Sequence, residues 1–188
     1  MSSKDKLFQL LYKNSFLYDP NKRFKLSSGK YSDFYIDGKK TTLTSEGMAL
    51  VGEVIWKEIK NLNIDAVGGL TLGADPIVCA VVMQAFKDGE KIDGFIVRKE
   101  PKGHGTKSWI EGNIKKGMKV VIVEDVVTTG ASALKAIEKA EEAGLKVIKV
   151  IILVDREEGG KQAIEEKGYD CLAIFSRSDF MKLHKKDA

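Results

Sequence analysis

Two adjacent carboxylates, Glu124 and Asp125, are followed after Val126 and Val127 by an unbroken run of small residues: Thr128, Thr129, Gly130, Ala131 and Ser132. Small side chains let backbone N–H groups approach a ligand closely, and Gly130 permits a backbone conformation that a side chain would forbid. Three hydroxyls add further donors. The helix predicted to begin near Ser132 points its free N–H groups and its positive dipole end at the same place, worth roughly 0.3 to 2 kcal/mol to an anion. Such a run can cradle a phosphate. Glu124 and Asp125 would repel a phosphate, but they can accept hydrogen bonds from sugar hydroxyls or face a hydrated Mg²⁺. Acid pair and cradle together suggest a sugar phosphate. The plainer alternative is a strand that ends in an acidic turn, with Thr129 and Gly130 as punctuation.

A second cluster places Arg98, Lys99, Lys102 and His104 in a stretch with little apolar content. Exposed ion pairs stabilise a fold by only about 0 to 1 kcal/mol, so the value of these charges would lie in binding. Between positions 100 and 116 no apolar periodicity is visible, and Gly103, Gly105, Gly112 and Gly117 loosen the backbone, which predicts a mobile loop. A merely solvated basic loop is the alternative. Arg156 precedes Glu157 and Glu158 and could form an ion pair with either.

The elements that must hold these residues alternate between strand and helix. Leu7, Leu10 and Leu11 mark a short amphipathic helix over 3–13. Positions 24–37 read as two extended stretches around Ser28 and Gly29, a hairpin if nothing more. A helix capped at Thr44 or Ser45 runs to about Asn61, and a strand covers 65–69. Asp75 followed by Pro76 predicts the start of a helix that is apolar nearly all round and therefore deeply buried, ended by Gly89. Gly73 and Ala74 before it offer a second, weaker place for an anion to approach backbone. Further strands are expected over 92–97, 120–123, 146–155 and 171–176, with helices from Ser132 to Gly144 and over a polar stretch ending near Lys167. The order predicts an α/β fold: a mostly parallel, doubly wound sheet flanked by helices, with ligands at the carboxyl ends of its strands.

A chain of 188 residues is expected to form a single domain over 1–188, long enough to bury roughly 70% of its unfolded surface. The net charge of +4 is too small to argue for nucleic acid, and no helix-turn-helix pattern or basic stripe is visible. Cys79 and Cys171 lie in apolar runs, as reduced buried thiols would, and no metal-ligand spacing appears. With no signal peptide and no long apolar run, a cytoplasmic protein without membrane contact is expected. The end of the chain, LHKKDA, is expected to be a solvated tail.

The stretch VVIVEDVVTTGAS, at positions 120–132, resembles the signature of the phosphoribosyltransferases. In that family two adjacent acidic residues contact the ribose of phosphoribosyl pyrophosphate (PRPP) and the following loop holds its 5-phosphate. With FKLSSGKYSDFYID, RKEPKGHG and VDRE in the right order around it, the chain is similar to the orotate phosphoribosyltransferases over roughly 24–156. The resemblance implies the type I phosphoribosyltransferase fold, with about 1–40 as a small N-terminal hood over the base site. It implies transfer of ribose 5-phosphate from PRPP to orotate, with Mg²⁺ held mainly through PRPP and Glu124 and Asp125 nearby. It assigns catalysis to Arg98, Lys99, Lys102 and His104, with Lys102 the foremost cation. PRPP binding would fall to these four and to Glu124, Asp125, Val126, Val127, Thr128, Thr129, Gly130, Ala131 and Ser132. Orotate would be held by Thr128, Arg156, Phe34 and Tyr35. It further implies a homodimer in which loop 98–107, from Arg98 to Lys107, reaches the neighbouring subunit's site. Well-known members carry lysines where this chain has Ser27 and Gly73, and Lys25 or Lys30 could supply the missing charge. A phosphoribosyltransferase for another base and a PRPP-sensing regulator are the competing expectations.

Overall fold

The structure, a computed structural model, describes residues 1–21, 24–25, 31–102 and 108–187. Helix α1 (Ser3–Ser15) is fixed at its start by Ser2 and Asp5, which satisfy each other's backbone donors in a capping box. Strand β1 (Phe16–Tyr18) follows, then β2 (Phe24–Lys25), β3 (Tyr31–Ser32) and β4 (Phe34–Ile36). β2 pairs with β3 and β1 with β4, both antiparallel. The hairpin is more than a surface feature, because Phe34 and Ile36 enter the core. Its turn, with Ser27, Ser28 and Gly29, lies outside the described residues. A short helix α2 (Lys39–Thr42) leads into α3 (Ser45–Ile59), capped by the Thr44 hydroxyl as expected.

The remaining elements are β5 (Ala66–Leu70), α4 (Ala74–Lys87), β6 (Asp93–Val97), β7 (Ile110–Gly112), β8 (Lys119–Val127), α5 (Ala131–Glu142), β9 (Lys146–Asp155), α6 (Gly160–Glu165), β10 (Cys171–Ser176) and α7 (Arg177–Asp187). Six strands form one sheet in the order β10-β9-β8-β5-β6-β7, parallel except for β7. This is the expected α/β architecture. The chain leaves β5 for β6 on one side and returns as β8 on the other, so the strand order reverses between β5 and β8. Ligand crevices in open parallel sheets lie at such points.

The apolar run of β8 is long because both its faces are covered. Val121 and Val123 pack with α3 and α4, while Val120 and Ile122 pack with α5. The alternation carries on to the acidic pair at the end of the strand.

Five expectations are corrected. Helix α4 begins at Ala74 with Gly73 as its cap, so Asp75 does not cap it; the Asp75 carboxylate accepts a hydrogen bond from Thr71 at 2.8 Å instead. The helix is also less enclosed than its composition suggests. Ile77, Val78, Val81 and Ala85 are buried, but Met83 is 56% and Phe86 67% exposed, and Cys79 shares their face and is exposed too. Only Cys171 is a buried thiol. Stretch 100–116 is not all loop, since β7 pairs with β6 inside it. Finally, the end of the chain is helical: α7 buries Phe180 against Phe8, Phe16 and Phe175, and His184 meets the Tyr12 hydroxyl at 3.2 Å.

Candidate active site

At the carboxyl end of β8 the backbone turns through Thr128 and Thr129 to Gly130, whose φ of +80° is the left-handed conformation that favours glycine. Gly130 also lies against the carbonyl of Gly160 at the start of α6, where a Cβ would stand only 2.8 Å from that oxygen. Helix α5 starts one residue earlier than expected, at Ala131. The turn and the helix start line a cavity of about 130 Å³ with Glu124, Val126, Val127, Thr128, Thr129, Gly130, Ala131, Ser132 and Ala133. The residues expected to form the cradle therefore line a concavity bordered by one of the two acids.

Glu124 and Asp125 are 6% and 7% exposed. Burial, and next the charge of Asp125, push the Glu124 carboxyl well above its ordinary range, and its Oε2 has no hydrogen-bond partner among the described residues. Asp125 does not line the cavity. Its Oδ1 accepts from the Val126 N–H at 2.8 Å, and the ammonium of Lys39 stands 3.8 Å from its Oδ2. Burial raises the Asp125 carboxyl too, against the pull of Lys39. Lys39 is held at 2.8 Å by Asp37. Burial pulls the Lys39 ammonium down, but the bond to Asp37 and the charges of Asp125 and Asp37 leave it above its ordinary value.

Beside β8, the carboxyl end of β9 presents Arg156, whose backbone N–H donates to the Val127 carbonyl at 3.0 Å. Its side chain is 3% exposed and bonded to Glu158 at 2.9 Å, so the ion pair considered from the sequence is formed. The same guanidinium lies 4.2 Å from the centre of the Phe34 ring and donates to the Phe34 carbonyl at 3.5 Å. Arg177 lies 4.9 Å from that ring and pairs with Asp33 at 3.0 Å. Phe34 is fully enclosed, whereas Tyr35, on the opposite face of β4, keeps exposed surface and meets Phe24 at 5.8 Å.

The basic segment leaves β6 at Val97. Arg98 donates to Glu111 on β7 at 3.1 Å, and Lys102 approaches the same carboxylate oxygen at 3.8 Å. The Lys99 carbonyl accepts from Lys135 of α5 at 2.7 Å, and Trp109 lies beneath Lys135 and Lys139, each 4.8 Å from its ring. His104 and Lys107 lie outside the described residues, as do Ser27, Lys30 and the side chain of Lys25.

Comparison with known proteins identifies the family. The sequence model of the phosphoribosyl transferase domain matches residues 41–179. A protein from Aquifex aeolicus named orotate phosphoribosyltransferase is 47% identical over 181 residues, covering 96% of this chain and 99% of that one. Another of that name, from Sorangium cellulosum, is 44% identical over 183 residues and covers 96% of this chain and 94% of its own. The chain belongs to the orotate phosphoribosyltransferase family. Crystal structures agree. The Mycobacterium tuberculosis orotate phosphoribosyltransferase in complex with Fe(III) dicitrate superposes with a TM-score of 0.83 at 36% identity, covering 95% of this chain and 99% of that one. The same enzyme in complex with PRPP gives 0.78 at 34% identity, with the same coverage. The type I fold gathers the small-residue turn, the acidic pair and Arg156 at the carboxyl edge of β8 and β9.

Sequence reasoning missed two charged residues here. Lys39 meets Asp125 from 86 positions earlier in the chain, and Glu111 meets Arg98 and Lys102 only through the pairing of β7 with β6. The pattern Asp37-Gly38-Lys39-Lys40 and the Glu111 between Ile110 and Gly112 were the available signals.

Proposed function

We propose that this chain transfers the 5-phosphoribosyl group of PRPP to orotate, giving orotidine 5-phosphate and pyrophosphate in pyrimidine biosynthesis. The observation that supports this most is the meeting, at the carboxyl ends of β8 and β9, of an anion cradle, a buried acidic pair and a guanidinium.

In this reading the 5-phosphate sits on Thr128, Thr129, Gly130, Ala131 and Ser132, on the turn formed with Val126 and Val127. Glu124 and Asp125 accept hydrogen bonds from the ribose hydroxyls. Orotate approaches Thr128 and Arg156 and lies against the segment of Phe34 and Tyr35, under the hood formed by about residues 1–40. Phe34 contributes by supporting Arg156, since its ring is enclosed, and Tyr35 offers the exposed surface. The C1–O bond to pyrophosphate breaks as the bond from C1 to the orotate ring nitrogen forms, and that nitrogen gives up its proton. Negative charge gathers on the leaving group, and Arg98, Lys99, Lys102 and His104 are the cations that meet it and exclude water.

Mg²⁺ fits the donor set. Two carboxylates with one buried unpartnered oxygen suit a hard cation, and no group of three or more metal-ligating side chains converges among the described residues, so substrate oxygens would complete its shell. When bound, the ion neutralises part of the diphosphate charge.

A homodimer completes the reading, with loop 98–107 reaching the partner's site. Cys79, Met83 and Phe86, spaced at helical intervals on the exposed face of α4 with Leu72 beside its start, form an apolar surface that a second copy would cover. Among the described residues no helix is long and apolar enough to cross a membrane. A cytoplasmic site of action, without nucleic acid, is proposed.

Chromatography of the products tests the acceptor. Orotidine 5-phosphate and pyrophosphate should form from orotate and PRPP. A nucleotide formed only from uracil, adenine, hypoxanthine or xanthine would leave the donor site standing and overturn the acceptor roles. PRPP binding with no acceptor consumed would favour a regulator.

A further inference from the structure

The carboxylate of Asp125 is confined on several sides. Gly73, at the cap of α4, presses its backbone so closely against Oδ1 that a Cβ there would overlap the carboxylate. Gly38, at the cap of α2, would bring a Cβ to 3.1 Å from Oδ2. The Val126 N–H holds Oδ1 at 2.8 Å. The Glu124 carboxyl also lies against this carboxylate, and the ammonium within 4 Å of Oδ2 among the described residues belongs to Lys39.

Lys39 is itself braced. Asp37, two residues before it, fixes the ammonium at 2.8 Å and also accepts from the Lys39 backbone N–H at 3.2 Å. The side chain keeps 37% of its exposure, so it covers the carboxylate from the solvent side without closing the site. Asp37, Lys39 and Asp125 thus form a line of alternating charge that runs from α2 to the end of β8. A buried carboxylate flanked by a second one gains from a cation mainly when its geometry is fixed by further bonds, and here those bonds are present.

On the reading that PRPP is the donor, we propose that Lys39 is a positioning residue for the donor site: it holds the Asp125 carboxylate in the orientation that receives the ribose hydroxyls, and Asp37 holds Lys39. Lys39 acts through Asp125 and not on the acceptor. Its removal therefore weakens donor binding selectively, and a guanidinium, which can keep both carboxylates engaged, restores it in part.

The test compares wild type with Lys39→Met, Lys39→Arg and Asp37→Asn, using calorimetric binding of PRPP in the presence of Mg²⁺, KM for each substrate, and thermal midpoints. Lys39→Met should weaken PRPP binding at least tenfold and raise the KM for PRPP by a similar factor. The KM for orotate should stay within twofold. Lys39→Arg should recover most of the loss, and Asp37→Asn should fall between the two. Unchanged PRPP binding in Lys39→Met, or equal loss toward both substrates alongside a lowered midpoint, overturns the proposal. If wild type itself fails to bind PRPP, the donor reading falls and the role of Lys39 with it.

Discussion

Arg98 and Glu111 meet at 3.1 Å across the antiparallel pair β6 and β7, and Lys102 approaches the same Glu111 oxygen at 3.8 Å. Two of the cations proposed to meet the leaving group thus share one carboxylate. An incoming diphosphate must compete with it. All three side chains are substantially exposed, so the competition is worth at most about 1 kcal/mol, or roughly fivefold in affinity. Glu111→Gln should lower the KM for PRPP by up to about fivefold and leave turnover within about twofold. A raised KM would mean that Glu111 helps to present these cations and does not restrain them.

Lys102→Ala should lower turnover by about 10² to 10³, the scale for losing one contact to developing charge. Stability should move by less than about 0.5 kcal/mol, because the side chain is exposed. Steady-state kinetics with a denaturation curve on the same preparation checks both. Normal turnover would remove Lys102 from the chemistry.

If the loop serves the partner's site, Lys102→Ala and Arg156→Ala damage complementary parts of one site. Mixed and allowed to exchange subunits, the two inactive variants should regain activity through hybrid dimers with one intact site. No recovery once exchange is confirmed by mass spectrometry would show that each site is built within one chain.

The Glu124 carboxyl is raised in the folded protein, with burial as the main cause and the Asp125 charge second. Between its unfolded and folded pKa values the folded protein keeps a proton that the unfolded chain has lost. Its contribution to stability is therefore whole below the ordinary Glu range and declines as pH rises through the folded value. In the absence of substrate and metal, Glu124→Gln should be more stable than the parent at about pH 8, and the difference should shrink toward about pH 4. Denaturant midpoints across that range check the sign. A difference that grew on acidification would contradict it.

The two thiols report on the α4 face. Burial pushes Cys171 up to about 11, so it should react with a thiol reagent only on unfolding. Cys79 is exposed beside Met83 and Phe86, and its labelling should slow as protein concentration rises and copies cover that face. A labelling rate independent of concentration, in a protein shown to dimerise over the same range, would place the interface elsewhere.

What could be read in the sequence was what is local. The cradle is contiguous, its conformational demand is met by Gly130, and β8 announces itself by an apolar run that only a doubly covered strand carries. Helix α4 misled because composition gives no azimuth: its apolar residues go all round, and whether Met83 and Phe86 are covered depends on what lies outside the chain. The ending LHKKDA looked solvated because Phe180, which anchors α7, precedes it, and the partners of His184 come from the opposite end of the chain. Lys39 and Glu111 were illegible for the same reason. Each draws its meaning from a residue brought to it by the sheet.

The most direct measurement is the ultraviolet absorbance of orotate incubated with the purified protein, PRPP and Mg²⁺. The orotate signal should fall only when enzyme, PRPP and Mg²⁺ are all present, and Arg156→Ala should suppress the fall. A persistent orotate signal under those conditions, with PRPP binding shown separately, would contradict transfer to orotate.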